Sequence, residues 1–150
     1  MCSNKDLKMH KIFGTKENVS YLDREGAYII VIKENRIGVI KTPKGCFLLG
    51  GGIDEGENHE QALKRECLEE AGYTVNINQK LCSAETYTKH PNIGYFHPIQ
   101  TYYIGELLEK VQEPIESDHK FMWVEYEQLK GKMFAEMQNW AIEQAKNFIK

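Results

Sequence analysis

The sequence holds little that would serve a membrane, an oxidising compartment or a nucleic-acid polymer. It has no long apolar run and no signal-peptide pattern, so no segment reads as a membrane span or a leader, and the expected compartment is the cytoplasm. The four cysteines, Cys2, Cys46, Cys67 and Cys82, are scattered without a Cys-x-x-Cys pair, which argues against a disulfide framework or a zinc ribbon. Cys82, His90 and His97 match no compact zinc spacing and read as ordinary strand and loop residues. Positive charge is not in excess, with 19 Lys and Arg against 22 Asp and Glu and a net charge of -3. The broad basic footprint of nucleic-acid binding is therefore missing, although a bound divalent cation would reverse the field locally and admit a small anion. Repeats and low-complexity tracts are also lacking. What remains is a 150-residue chain, 41% hydrophobic and 27% charged, which suits one soluble globular domain over 1–150.

The first twenty or so residues are polar and weakly patterned, and are expected to form an arm. "AYIIVI" (27–32) and "RIGVIKT" (36–42) flank the turn-like "KEN" and predict a hairpin. "CFLL" (46–49) runs into a glycine loop. "TVNIN" (74–78), "CSAETYT" (82–88), "IQTYYIGEL" (99–107) and "FMWV" (121–124) are further strand candidates, with loops at "KHPNIGYFHP" and "EKVQEPIESDHK". Near the end, Phe134, Met137, Trp140, Ala141, Ala145 and Phe148 recur at helical spacing and predict an amphipathic helix over 133–149 whose stripe belongs to the core. Tyr87, Tyr95, Tyr102 and Tyr103 could stack a base, but strand aromatics are more often core.

The stretch "GGGIDEGENHEQALKRECLEEAGY" (50–73) carries the second helix. Asn58 is placed as N-cap with Gln61 three residues on, and Gly72 stands where a left-handed C-cap belongs, so residues 59–71 are predicted to be helical. Leu63, Cys67 and Ala71 then form an apolar stripe, and Glu66, Glu69 and Glu70 an adjoining arc of roughly 100°. Like charges at this spacing repel, at a few tenths of a kcal/mol per pair. An ordinary acidic surface helix after a flexible turn is one reading. The other is a site for a hard cation, since Mg²⁺ favours one or two carboxylates plus waters and substrate phosphates. Arg65, four residues before Glu69, would orient that carboxylate.

The full spacing resembles the Nudix box, G-x5-E-x7-R-E-U-x-E-E-x-G-U with U apolar. Its fixed positions fall on Gly51, Glu57, Arg65, Glu66, Glu69, Glu70 and Gly72. Seven such positions coincide by accident in roughly one chain in a million of this length. Cys67 and Tyr73 fill the apolar positions, Leu49 stands where Pro is frequent, and Asp54 stands where Glu is common; none of these changes removes a ligand candidate.

The resemblance implies an α/β protein, an α/β/α sandwich with a mixed β-sheet, hydrolysing a nucleoside diphosphate linked to another moiety with Mg²⁺ or Mn²⁺. It implies Glu66, Glu69, Glu70 and the Gly50 carbonyl as metal contacts, and Glu66 or a carboxylate outside the box as base. Arg65 and Glu57 join the catalytic set, Glu57 either binding a further ion through water or holding the loop. For an outside carboxylate Asp118 ranks first, with Glu116 and Glu85 as alternatives and a solvated loop acid as the competing reading of each. The implied partner is a small-molecule nucleotide, with no nucleic-acid polymer and no membrane, and with room for a homodimer. Subfamily marks about sixteen residues after the box are absent: Thr88, Lys89 and His90 stand there, with Pro91 displaced. A coenzyme A motif is not evident upstream. A non-catalytic nucleotide sensor on the same fold and an interaction domain with an acidic surface helix are the competing function classes.

Overall fold

The computed structural model describes residues 9–115 and 118–149. The described residues form eight strands: β1 (His10–Phe13), β2 (Leu22–Lys33), β3 (Arg36–Thr42), β4 (Gly45–Gly52), β5 (Tyr73–Thr86), β6 (Thr88–His90), β7 (Gly94–Lys110) and β8 (Lys120–Glu125). They also form the helices α1 (His59–Ala71), α2 (Tyr126–Leu129) and α3 (Glu136–Gln144), followed by a 3₁₀ turn at Lys146–Phe148. The sheet runs in the order β1-β5-β7-β2-β4-β3-β8, with β6 paired to β7. Pairs β1–β5 and β2–β7 are parallel and the others antiparallel, so the sheet is mixed.

Side chains alternate across a strand, and the two faces feed two cores. Ala27, Ile29, Val31, Ile40 and Leu49 meet Leu63, Cys67 and Ala71 of α1 on one face. Their chain neighbours Ile30, Val39 and Leu48 face the other way, with Tyr102, and meet Met137, Ala141 and Ile142 of α3. This is an α/β sandwich with the sheet as its middle layer. Among the described residues no helix is long and apolar enough to cross a membrane.

α1 has the predicted bounds because its ends are chemically closed. Asn58 Oδ1 accepts from the Gln61 N–H at 2.8 Å while Gln61 Oε1 accepts from the Asn58 N–H at 2.9 Å. Gly72 ends the helix at φ 78, its N–H donating to the Cys67 and Leu68 carbonyls.

Elsewhere the sequence expectations need correction. The supposed glycine loop is strand: Gly50, Gly51 and Gly52 lie opposite Tyr28, Ala27 and Gly26 of β2. Pairing of the backbone overrides the low strand propensity of glycine here, and a Cβ on Gly50, at φ 137, would overlap the Ala27 carbonyl and Tyr28 Cα. Part of the expected N-terminal arm, His10–Phe13, is β1, recruited by parallel pairing with β5, a non-local partner that local pattern does not reveal. The two strand candidates 74–78 and 82–88 are mostly one strand, β5, kept in register with β7 through bulges. Most of the expected loop at 89–98 is strand, with 89–90 in β6 and 94–98 in β7, and only residues 91–93 turn between them. The helix expected over 133–149 is confined to Glu136–Gln144. Phe134 lies before it, 61% exposed, with its ring 5.3 Å from Phe47, because residues 133 and 134 bond to the Cys46 strand region instead of starting the helix.

Cys67 is fully buried in the α1 core, and burial pushes its thiol well above the usual thiol range. It acts as a small apolar residue, so Cys67→Val should change unfolding free energy by less than about 1.5 kcal/mol in denaturant titration; a loss of several kcal/mol would contradict this.

Candidate active site

The Gly50–Gly52 end of β4 lies against α1, and the acidic arc of the helix faces it. Arg65 is the centre of the arrangement. Its Nε donates to Glu57 Oε2 at 2.7 Å and its Nη2 to Glu57 Oε1 at 3.0 Å, a two-pronged pair. Nη2 also donates to the Gly52 carbonyl at 3.2 Å. Nη1 reaches Glu66 Oε2 at 3.3 Å and Glu69 Oε1 at 3.2 Å, and Asp54 Oδ2 stands 3.4 Å from Nε. One guanidinium thus ties together the loop after β4, the strand end and two carboxylates of the helix. Glu57 Oε1 also accepts the Asp54 N–H at 2.9 Å, so Glu57 holds the loop to the helix with both oxygens.

The four glutamates differ in environment. Hydrogen bonds from Arg65 and from the Asp54 N–H hold Glu57 down to about 2. Glu66 is pushed up to about 6, because its burial outweighs the attraction of Arg65 and Glu69 adds repulsion. Its side chain is only 15% exposed against 40% for Glu69. Glu70 Oε1 accepts the Gly50 N–H at 3.0 Å, fixing the strand end against the helix. A Cβ on Gly51 would overlap the Glu66 carboxylate, so the glycine provides the space that this carboxylate occupies.

Glu66, Glu70, Gly50 and Gly51 line a cleft of about 650 Å³, closed on its other walls by Arg24, Tyr28, Lys44, Phe47, Asp118 and His119. Asp118 therefore faces the same space as the helix acids. Glu116 lies outside the described residues. Glu85 is elsewhere: its carboxylate accepts from His10 at 2.5 Å and His97 at 2.8 Å, and although burial raises it, those hydrogen bonds leave it below the usual range. Among the described residues no three His, Cys, Asp or Glu side chains already converge as a cage for an ion. Oxygen donors in twos and threes beside an open cleft are nevertheless the set that Mg²⁺ favours, since waters and phosphates complete its shell.

A second cavity of about 530 Å³ adjoins the first and shares Arg24, Tyr28 and Phe47 with it as lining residues. Its walls include Phe13, Phe96 and Phe134, and its floor includes Gln100 and Gln138. The tyrosines considered as base stackers are not among its lining residues: Tyr102 is buried core, Tyr103 bonds to His59 at 2.7 Å and Tyr87 stacks on His97 at 4.2 Å. Arg24, Gln100 and Gln138 give no signal in the sequence, because they stand alone on β2, β7 and α3 and meet only through the sheet order β7-β2-β4. Arg24 makes no hydrogen bond or ion pair to a carboxylate among the described residues and lines both cavities.

The sequence model of the NUDIX domain matches residues 18–147. A Bacillus subtilis (strain 168) protein named "Putative 8-oxo-dGTP diphosphatase" is 37% identical over 60 residues, 38% of this chain and 40% of that relative. The aligned part thus spans well under half of its length. A NUDIX hydrolase structure from Nitrosomonas europaea superposes with TM-score 0.72 at 14% identity, covering 86% of this chain and 92% of that one. A MutT NUDIX hydrolase structure from Burkholderia pseudomallei gives 0.69 at 23% identity, covering 82% and 98%. A UDP-X diphosphatase structure gives 0.65 at 16% identity, covering 87% and 66%. These likenesses show the fold.

The opposite shifts of Glu57 and Glu66 predict opposite pH effects in chelator. Glu57, lowered from 4.5 to about 2, adds stability that is present above pH 4.5 and lost as pH falls through 2. Glu66, raised from 4.5 to about 6, binds its proton more tightly when folded, so its contribution declines as pH rises from 4.5 through 6. Thermal melts of Glu66→Gln should therefore match or exceed wild type at pH 7, by on the order of 1–2 kcal/mol, with the gap closing near pH 4.5. Arg65→Ala should instead lower the melting temperature at pH 7 by at least about 4 °C. An Arg65→Ala protein as stable as wild type would refute the central role of this guanidinium.

Proposed function

The chain belongs to the Nudix family, and from that premise we propose that it hydrolyses the diphosphate linkage of a nucleoside diphosphate derivative with the aid of Mg²⁺ or Mn²⁺. The observation that carries the reading is Glu66, a largely buried carboxylate lining a cleft that Asp118 also lines, in space left by the missing Cβ of Gly51. A carboxylate that is costly to ionise alone is one whose charge a cation relieves.

Glu66 and Glu70, which line the cleft, and Glu69, which Arg65 holds on the same helix, would bind the cation, with the backbone of Gly50 beside them. When bound, a divalent cation neutralises diphosphate charge, polarises the phosphoryl oxygen and lowers the pKa of water. The chain's own residues do the rest. Arg65 positions Glu66 and Glu69, and Glu57 in turn holds Arg65 in place, so these two act through the ligands and not on the substrate. Arg24 and Lys44, on the walls of the cleft, supply cationic charge to phosphate oxygens. With Glu66 holding a cation, Asp118, which lines the same cleft, would accept the proton of the attacking water.

The diphosphate links two halves, and two adjoining cavities can accept them. The acidic cleft takes the reacting phosphates. The aromatic cavity beyond Arg24 takes the nucleoside, whose planar base matches phenylalanine walls. These two environments support the class of nucleoside diphosphate derivatives as substrate.

Turnover of such a derivative, followed by release of nucleoside monophosphate, should vanish in excess chelator and return with added Mg²⁺ or Mn²⁺. Glu66→Gln should lose roughly a hundredfold in kcat, about 3 kcal/mol of transition-state stabilisation, while remaining folded. Unchanged turnover in chelator, or a fully active Glu66→Gln protein, would sink the proposal.

A further inference from the structure

The floor of the aromatic cavity is an amide whose orientation is dictated from inside the core. The backbone N–H of Leu48, which can only donate, meets Gln138 Oε1 at 2.9 Å. Gln138 must then turn its Nε2 away from Leu48, and that nitrogen donates to Gln100 Oε1 at 3.1 Å. The Tyr102 hydroxyl donates to the same oxygen at 2.6 Å. Burial pushes the Tyr102 phenol far above its ordinary range, so it keeps its proton. Gln138 is 1% exposed and Tyr102 fully buried, so neither can swing out to release its hydrogen bond cheaply.

These bonds leave Gln100 no choice of orientation. Its oxygen takes two donors on the core side, and a flipped amide would set its Nε2 against the Gln138 N–H that Leu48 fixes in place. Nε2 therefore faces the cavity that Gln100 lines. Gln100 is 9% exposed, and its Nε2 has no hydrogen-bond partner among the described residues, yet it is not sealed from the cavity. A nine-tenths buried amide with two unmet N–H groups, at the base of an aromatic cavity, awaits an acceptor from a ligand.

We infer that Gln100 selects the base, favouring a planar ring that carries an oxo group at this position over one that carries an exocyclic amine. The oxo group accepts from Nε2; an amine would bring donor against donor and leave both unpaired, the situation in which a polar site discriminates strongly. The Phe47 and Phe134 rings, packed on each other at 5.3 Å, form one aromatic wall on which such a ring can stack. Purine and pyrimidine nucleotides both offer this chemistry, as the 6-oxo group of hypoxanthine or guanine and the 4-oxo group of uracil. The inference rests on the reading of this cavity as the nucleoside site of a diphosphate hydrolase, and it adds the choice among nucleosides.

The test uses nucleoside 5′-monophosphates, which contain no diphosphate linkage, so that binding is measured apart from turnover. Calorimetry with the intact chain and Mg²⁺ compares inosine with adenosine monophosphate, and uridine with cytidine monophosphate. At least about a tenfold preference for the oxo member of one pair is expected, and the pair that shows it identifies the ring size. Gln100→Glu keeps an acceptor for Gln138 and Tyr102 but presents an oxygen to the cavity, and should abolish or reverse the preference. Should that variant fail to fold by circular dichroism, Gln100→Met removes the donor, and the two members of the pair should then bind within about threefold of each other. Equal wild-type affinities within both pairs, no binding of any of the four, or an unchanged preference in a folded Gln100 variant would each overturn the inference. A preserved preference in a protein that hydrolyses no diphosphate would overturn the hydrolase reading and leave the role of Gln100 standing.

Discussion

The guanidinium of Arg65 is the interaction on which the site depends. Three glutamates and an aspartate lie within 3.4 Å of it, drawn from the helix, from the preceding loop and from the turn between them. Without this cation the carboxylates would repel across a half-buried space where water screens them poorly. Arg65 cannot release its proton at any ordinary pH, and its carboxylate partners raise it further. It also anchors Gly52, so the same side chain that gathers the acids sets the distance between helix and strand. Glu57 is the partner that makes this permanent. Its carboxylate stays ionised far into acid, whereas Glu66, on the other side of the guanidinium, is the one left poised near neutrality.

The closeness of α1 to β4 gives the glycines their purpose. A side chain at 51 would push the helix away and fill the space that the Glu66 carboxylate now occupies, while one at 50 would overlap β2. Glycine permits the approach, Glu70 fixes it by accepting from the Gly50 N–H, and the Leu63–Cys67–Ala71 stripe seals it with apolar contact. A polar site and a hydrophobic seam thus run side by side along one helix. On the opposite face of the sheet, α3 carries Gln138 into the core, and Gln138 sets the polarity of the cavity floor through Gln100.

Expectation and structure agree most closely on α1. Its caps are local, with partners three residues apart at Asn58 and Gln61, so chemistry close in the chain is enough to place its ends. The hairpin of β2 and β3 is legible for the same reason. The strand at 50–52 is not, because three glycines carry no strand preference and become strand only by pairing with β2, more than twenty residues away. β1 is a similar case, held by parallel pairing to Ser83–Thr86. The last helix is shorter than its spacing implies, although Phe134 and Phe148 fit the period; Phe134 instead packs on Phe47, a contact between distant segments.

The sequence by itself determined which side chains could form the acidic cluster, since a helix fixes the relative directions of residues 65, 66, 69 and 70 through its own geometry. It also pointed to a class of chemistry, because oxygen donors at that spacing would suit a hard cation. Tertiary structure alone decided which of these glutamates is buried, which distant acid shares their cleft, and what lies beyond it. Asp118 rather than Glu85 lines the cleft with Glu66 because the segment leading into β8, and not this part of β5, borders it. Arg24 and Gln100 line one cavity because β2 and β7 lie side by side in the sheet. Contacts of this kind are set by strand order, which depends on the summed burial of both faces of the sheet and leaves no mark on any short stretch of the chain.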